Sequence, residues 1–228
     1  CRDYISILRV MGEKTELSIA NSIWYRDGFP VSNDFLQINA NYFDSEAENL
    51  DFNQAAAIDT INKWVKTQTN NTIDKIIDEI RPDTIMFLIN AVYFKSDWKQ
   101  PFDAANTYAK DFNSPEGKLN ADFMHRTGEM DYFNKKGAQG VILPYDDGRF
   151  KFFALLPEKG TDIRSFIHEL DGAAIYDYLI SVRKENILLS LPKFETRFED
   201  QLNDELSNMG TEIAFDPNSA DFSLMLEN

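Results

Sequence analysis

The stretch TIMFLINAVYFKSDW, residues 84–98, decides how the rest of the chain is read. As a strand it sends Ile85, Phe87, Ile89, Ala91 and Tyr93 to one face and Met86, Leu88, Asn90, Val92 and Phe94 to the other. Both sets are apolar except for Asn90, the pattern of a strand in the middle of a sheet that is covered above and below. An amide at the centre of such a ribbon is costly, because burying it without partners takes about 1–3 kcal/mol. The residues alone leave two readings open. Asn90 is either a core amide held by one fixed backbone group, or a polar catch able to exchange partners.

Around that ribbon lie 228 residues, enough for one large domain or two small ones with a sizeable core. No apolar run reaches the ~18–20 residues of a membrane-spanning helix, so no membrane association is expected. The net charge of −15 argues against sequence-independent nucleic-acid binding, which needs clustered Lys and Arg. Cys1 is the only cysteine, which excludes an internal disulfide or a cysteine-built metal site. The opening residues CRDYISILRV have neither the basic start nor the apolar core of an export signal. A chain beginning at Cys1 without Met is expected to be a fragment, so that lack does not decide its destination.

Enzyme chemistry finds little footing. No Gly-x-Ser-x-Gly, His-Glu-x-x-His, phosphate-binding loop or Gly-x-Gly-x-x-Gly occurs. His125 and His168 have no Cys or second His at ligand spacing, and both read as solvated. Glu129 is a lone carboxylate near His125. The acidic pairs Asp146 with Asp147 and Glu199 with Asp200 fall in expected turns. No catalytic centre, metal or cofactor is expected.

Local patterns predict a strand at residues 17–25 and a helix opened by Ser32, Asn33 and Asp34. Ile58, Ile61, Trp64 and Val65 form the apolar stripe of a second helix, and NTIDKIIDEI (71–80) reads as a short helical turn before Pro82. Short strands follow, with turns expected at Thr127-Gly128, Lys136-Gly137 and Asp146-Asp147-Gly148. VILPYDDGRFKFFALLP (141–157) is a hairpin candidate of the Asp-Gly class. Helices are predicted over 162–170 and 173–181, an extended piece over 185–198, and a helix in EDQLNDELSNMG that stops at Gly210. Helices first and antiparallel strands later give an α+β fold.

Several blocks, in order, resemble one family. LSIANSIWY resembles a strand of its large sheet, and FLQINANYFDSEAENLDF the following helix and edge strand. INKWVKTQTNNTIDKII and LINAVYFKSDWKQPFDAANT match the most recognisable motifs, the second through Asn90, Ala91, Tyr93, Phe94, Lys95, Trp98, Phe102 and Thr107. FMHRTGEM, the hairpin candidate, LPKF and LNDELSNMGTEIAFDPNSADFS also fit. On these residues the chain resembles the middle of a serpin, a protease inhibitor that works by a large conformational change. One departure is TNNTI, where the family usually has Thr-x-Gly-Lys-Ile.

The resemblance implies a single incomplete serpin-like domain over residues 1–228, with a large, mostly antiparallel sheet crossed by a helix and accompanied by smaller β-sheets. It implies that Asn90 is a sheet-opening latch, that Trp98 and Lys193 mark the point where insertion begins, and that Trp64 sits on the helix over the sheet. Core packing for Trp98 and a solvated strand end for Lys193 are the plain alternatives, and Phe194 is expected in the core. The implied function is inhibition of a serine or cysteine protease: an exposed loop is cleaved, the enzyme is trapped as an acyl-enzyme, and the loop inserts into the sheet. The alternative is a non-inhibitory serpin, a binding or chaperone-like protein. The reactive-site residues are not in this chain, so these 228 residues are not expected to inhibit alone. Missing serpin segments or a companion chain are expected to complete the sheet, and the family's commoner address is extracellular.

Overall fold

The computed structural model describes residues 2–9, 13–114, 117–135, 137–196, 203–216 and 218–227. They fall into two compact units. The first comprises Glu16–Lys95 with the described parts of Cys1–Met11 and Arg197–Asn228, and the second Gly12–Thr15 with Ser96–Thr196.

In the first unit, α1 (Arg2–Arg9) precedes β1 (Thr15–Arg26), α2 (Asn33–Phe43), β2 (Ser45–Leu50), α3 (Ala55–Gln68) and β3 (Met86–Ser96). Ser32 caps α2 as its sequence predicts, accepting from the Phe35 N–H. The strands form a sheet in the order β2-β1-β3, with β2 parallel to β1 from Asn21↔Ser45 to Arg26↔Leu50. On the other side the Arg26 N–H donates to the Ile85 carbonyl (2.9 Å) and the Asn90 amide donates to Asn21 Oδ1 (2.8 Å). Those contacts run in opposite directions along the two strands, so β3 is antiparallel to β1.

α3 lies on one face of this sheet because its apolar stripe has a matching surface to bury. Ala57, Ile61 and Val65 pack with Trp24, Phe52 and Ile89, while Trp64 and Phe87 close the edges of the cluster. Among the described residues of this unit the ribbon is therefore covered on one face. Ile89 and Ala91 are buried, but Leu88 is 60% and Val92 53% exposed, and among the described residues no strand pairs along β3's outer edge. This corrects the expectation of a central strand sheltered above and below: among the described residues of this unit β3 is the margin of a three-stranded sheet, covered by α3 on one face.

Residues 71–80 also differ from expectation, forming an irregular segment in place of a helical turn. Its backbone is satisfied by a side chain. Asn62 Oδ1 accepts from the N–H groups of Ile76 (2.8 Å) and Ile77 (3.1 Å), and its amide donates to the Ile77 carbonyl (2.9 Å). Ile77 and Ile80 are thereby laid against the core. Asn62→Ala removes all three bonds and should cost about 2–3 kcal/mol at ~1 kcal/mol each. Urea unfolding should register the loss, and the Ile76 and Ile77 amides should exchange far faster than those within α3. After the described gap, α6 (Asn203–Leu206) ends in looser turns through Gly210, whose φ of +101 suits glycine. The start of the expected helix, including Glu199 and Asp200, lies outside the described residues. A bridge from Val31 to Leu226 attaches the last segment.

The second unit holds β4 (Thr107–Ser114), β5 (Gly117–Lys135), β6 (Ala138–Pro144), β7 (Lys151–Pro157), α4 (Ile163–His168), α5 (Gly172–Ile180) and β8 (Arg183–Pro192). All its strand pairs are antiparallel, in the order β4-β5-β6-β7, with β8 also on β5. β5 is one continuous strand where a turn at Thr127-Gly128 is expected. Gly128 takes φ +150 while staying opposite Ile187, a backbone geometry that lets the strand bend without leaving the ladder. β5 serves β4 along its first part, β8 through its middle and β6 at its end. The β6–β7 hairpin forms as read, its turn closed by the Tyr145 N–H donating to the Phe150 carbonyl (2.9 Å). Asp162 and Asp171 cap α4 and α5 by accepting from the N–H groups of Ser165 and Ala174.

Candidate functional site

Trp98 follows β3 directly in the chain and belongs to the second unit, where it meets aromatic rings on three sides. It stacks on Tyr145, with ring centres 4.5 Å apart and planes 11° from parallel. Phe102 (6.1 Å) and Phe152 (5.7 Å) approach edge-on. Tyr145 stands in the β6–β7 turn, bridged to Trp98 through the backbone, and burial pushes its phenol above the ordinary value. Beside this stack runs an open cleft of about 360 Å³ lined by Trp98, Tyr145, Phe152, Leu191, Lys193 and Phe194, among others. Two of the sequence-predicted residues, Trp98 and Lys193, thus share one site.

Lys193 lies just past β8, its N–H donating to the Asp122 carbonyl (2.8 Å), which brings this residue to the cleft's rim. Phe194 is 66% exposed at that rim, 6.4 Å from the Phe152 ring, and is not a core residue as expected. The cleft can hold a flat or extended apolar group against the Trp98–Tyr145 stack, with the Lys193 end as its polar limit. Tyr145 escapes a sequence reading because its partner is far away in the chain. Its one signal is an aromatic residue beside an Asp-Asp-Gly turn.

Asn90 and Trp64 belong to the first unit, on opposite faces of the sheet. Asn90 is exposed and donates to Asn21 of β1, so it is a cross-strand catch at the surface and not the buried amide expected. The physical reason is the uncovered face described above. Asn21 was legible in principle, as a polar residue at the middle of the apolar LSIANSIWY. Trp64 meets Trp24 edge-on (6.0 Å), and its indole N–H donates to Glu46 Oε2 (2.9 Å), linking α3 to β1 and β2.

The backbone direction of β3 follows from its pairing. Because the Ile85 carbonyl points to β1, so do the polar groups of alternate residues, and those of Leu88, Asn90 and Val92 point to the outer edge. A row of donors and acceptors on that edge is a template for another strand.

His125 is buried and not solvated. Its Nδ1 lies 3.1 Å from the Asn106 carbonyl and its Nε2 3.0 Å from Ser190 Oγ, and the ring stacks on Tyr108 at 4.1 Å. Two satisfied nitrogens allow its burial. His168 is exposed, and no cluster of His, Cys, Asp and Glu suited to a metal occurs among the described residues. None of the described helices is long and apolar enough to cross a membrane.

Comparison with known proteins bears on these features directly. The model of the family Serpin (serine protease inhibitor) matches residues 2–228. The chain belongs to the serpin family. A serpin-like protein of Thermococcus kodakarensis is 33% identical over 213 residues, covering 92% of this chain and 50% of its own. Neuroserpin of Gallus gallus is 33% identical over 224 residues, covering 93% and 54%. This serpin chain therefore spans about half the length of the curated relatives it matches. Among solved structures, the thermophilic serpin tengpin in its latent state superposes with a TM-score of 0.89 at 33% identity, covering 99% of this chain and 62% of its own. Tengpin in its native state gives the same score and identity, covering 97% and 58%. The α+β serpin fold is thus shown.

Proposed function

We propose that this chain forms part of a serpin-type inhibitor of serine or cysteine proteases, acting outside the cell, in which β3 receives the cleaved reactive loop as a new strand. The observation that carries the reading is the outer edge of β3, with the polar groups of Leu88, Asn90 and Val92 aimed away from β1. A strand added there gains on the order of ten ladder bonds at ~0.5–1.5 kcal/mol each, roughly 10 kcal/mol, enough to drive a one-way change. In this reading the bond from Asn90 to Asn21 holds β3 to β1 while the new strand is added on the other side. The family resemblance assigns Trp98 and Lys193, which share the second unit's cleft, to the start of insertion. The protein is an inhibitor and not an enzyme, and it uses no cofactor.

The test is incubation with trypsin-like, elastase-like and papain-like proteases of a version extended to the length of the curated relatives. An SDS-stable complex with at least one of them is the expected result. The 228 residues alone should give none. Loop cleavage by every protease without any stable complex would instead favour the non-inhibitory reading, a binding or chaperone-like protein.

A further inference from the structure

We propose that Asn70 is an acceptor for an N-linked glycan. The triplet Asn70-Asn71-Thr72 is the only Asn-x-Ser/Thr sequence, with x other than Pro, in the 228 residues. It occupies the turn that leaves α3, where the chain reads TNNTI and the family pattern has glycine at the position of Asn71. Both asparagines sit in the left-handed region, with φ of 49° at Asn70 and 62° at Asn71. Asparagine is among the few side chains that adopt that geometry readily, so the turn keeps its shape while gaining the acceptor sequence.

The fold leaves room for a sugar there. Asn70, Asn71 and Thr72 are all exposed, while the turn is fixed from beneath by Thr69, which is 1% exposed and donates to the Val65 carbonyl (2.8 Å). The Asn70 amide donates to Tyr93 Oη (3.1 Å) and, at longer range, to Glu16 Oε2 (3.4 Å). Transfer from a polyprenyl-diphosphate-linked oligosaccharide forms a bond from Nδ2 to the sugar's C1 and breaks the bond from C1 to the diphosphate oxygen. One amide proton is lost and the lipid diphosphate leaves. The modified amide keeps one N–H, so one of those contacts can persist.

The glycan would stand at the mouth of a cleft of about 430 Å³ lined by Thr69, Thr72, Ile73, Val92, Tyr93 and Lys95, among others. Its attachment point lies beside Tyr93, on the face of the sheet that carries α3, and so away from the exposed side chains of Leu88 and Val92. The acceptor rests on the extracellular part of the proposed function, passage through a compartment that holds the transfer machinery, and not on β3 as a receiving edge.

The experiment is secretion of the chain, behind an export signal, from a eukaryotic host. A second acceptor triplet in an added flexible tail reports that the transfer machinery reached the chain. Peptide mapping after enzymatic deglycosylation should find both Asn70 and the tail modified. Asn70→Gln and Thr72→Ala should abolish the first modification, and Thr72→Ser should keep it. A modified tail with a bare Asn70 overturns the proposal. Protease-complex formation is measured separately, so failure of the inhibitor reading leaves the glycan result standing.

Discussion

Alanine in place of Gly140 is expected to lower stability by about 3 kcal/mol, the upper end for forcing extra atoms into a packed core. Gly140 lies in β6 opposite Phe133 of β5. A Cβ built there falls 2.3 Å from the Ala154 carbonyl oxygen and 2.4 Å from the Phe133 ring. Neither neighbour can yield easily. The carbonyl belongs to β7, which is paired to β6, and the ring is fully buried between Phe153 (5.5 Å) and Tyr178 (5.1 Å). Phe133→Leu added to the substitution should recover part of the loss and not all of it, because the carbonyl contact remains. Urea unfolding of the single and double variants measures both effects. A cost below about 1 kcal/mol for Gly140→Ala would show that the β6–β7 pair shifts aside freely.

Proline at Val92 should have its effect on function with little on stability. The Val92 N–H points to the outer edge of β3, so its removal leaves every bond between β1 and β3 in place. A strand arriving at that edge would lose one partner and meet the proline ring. We expect formation of the SDS-stable complex to slow at least ~10-fold, equivalent to 1.4 kcal/mol, with stability held within about 1 kcal/mol. Val92→Thr, which keeps the N–H, should behave as the parent. Ala91→Pro is the structural contrast. Its N–H points to β1 and its side chain is buried, so it should cost about 3 kcal/mol or more. Equal complex formation by parent and Val92→Pro would exclude this edge as the site of strand addition.

The fold was legible wherever one element carries its own signal. The α3 helix, the Ser32 cap and the Asp-Gly hairpin depend on neighbours a few residues away, and each formed where read, although Ala57 and not Ile58 joins Ile61, Trp64 and Val65 in the packed stripe. Misreadings came where a distant partner decides. Residues 71–80 have helical texture, but Asn62 takes up their backbone groups and leaves no helix to be made. Thr127-Gly128 looks like a turn, yet pairing with β8 keeps it extended. His125 reads as solvated until Asn106 and Ser190 supply both its partners. Family resemblance selected Asn90 and Trp64 in the first unit and Trp98 and Lys193 in the second, and the structure adds Asn21 to the one and Tyr145 to the other, whose parts are fixed only by tertiary contact.

Force directed along β5 meets an unusual resistance. Its ladders to β4, β8 and β6 follow one another along the strand and overlap at Phe123–Met124 and Asp131–Tyr132, so a pull along its axis loads each of them in shear. The second unit therefore has a built-in tension member.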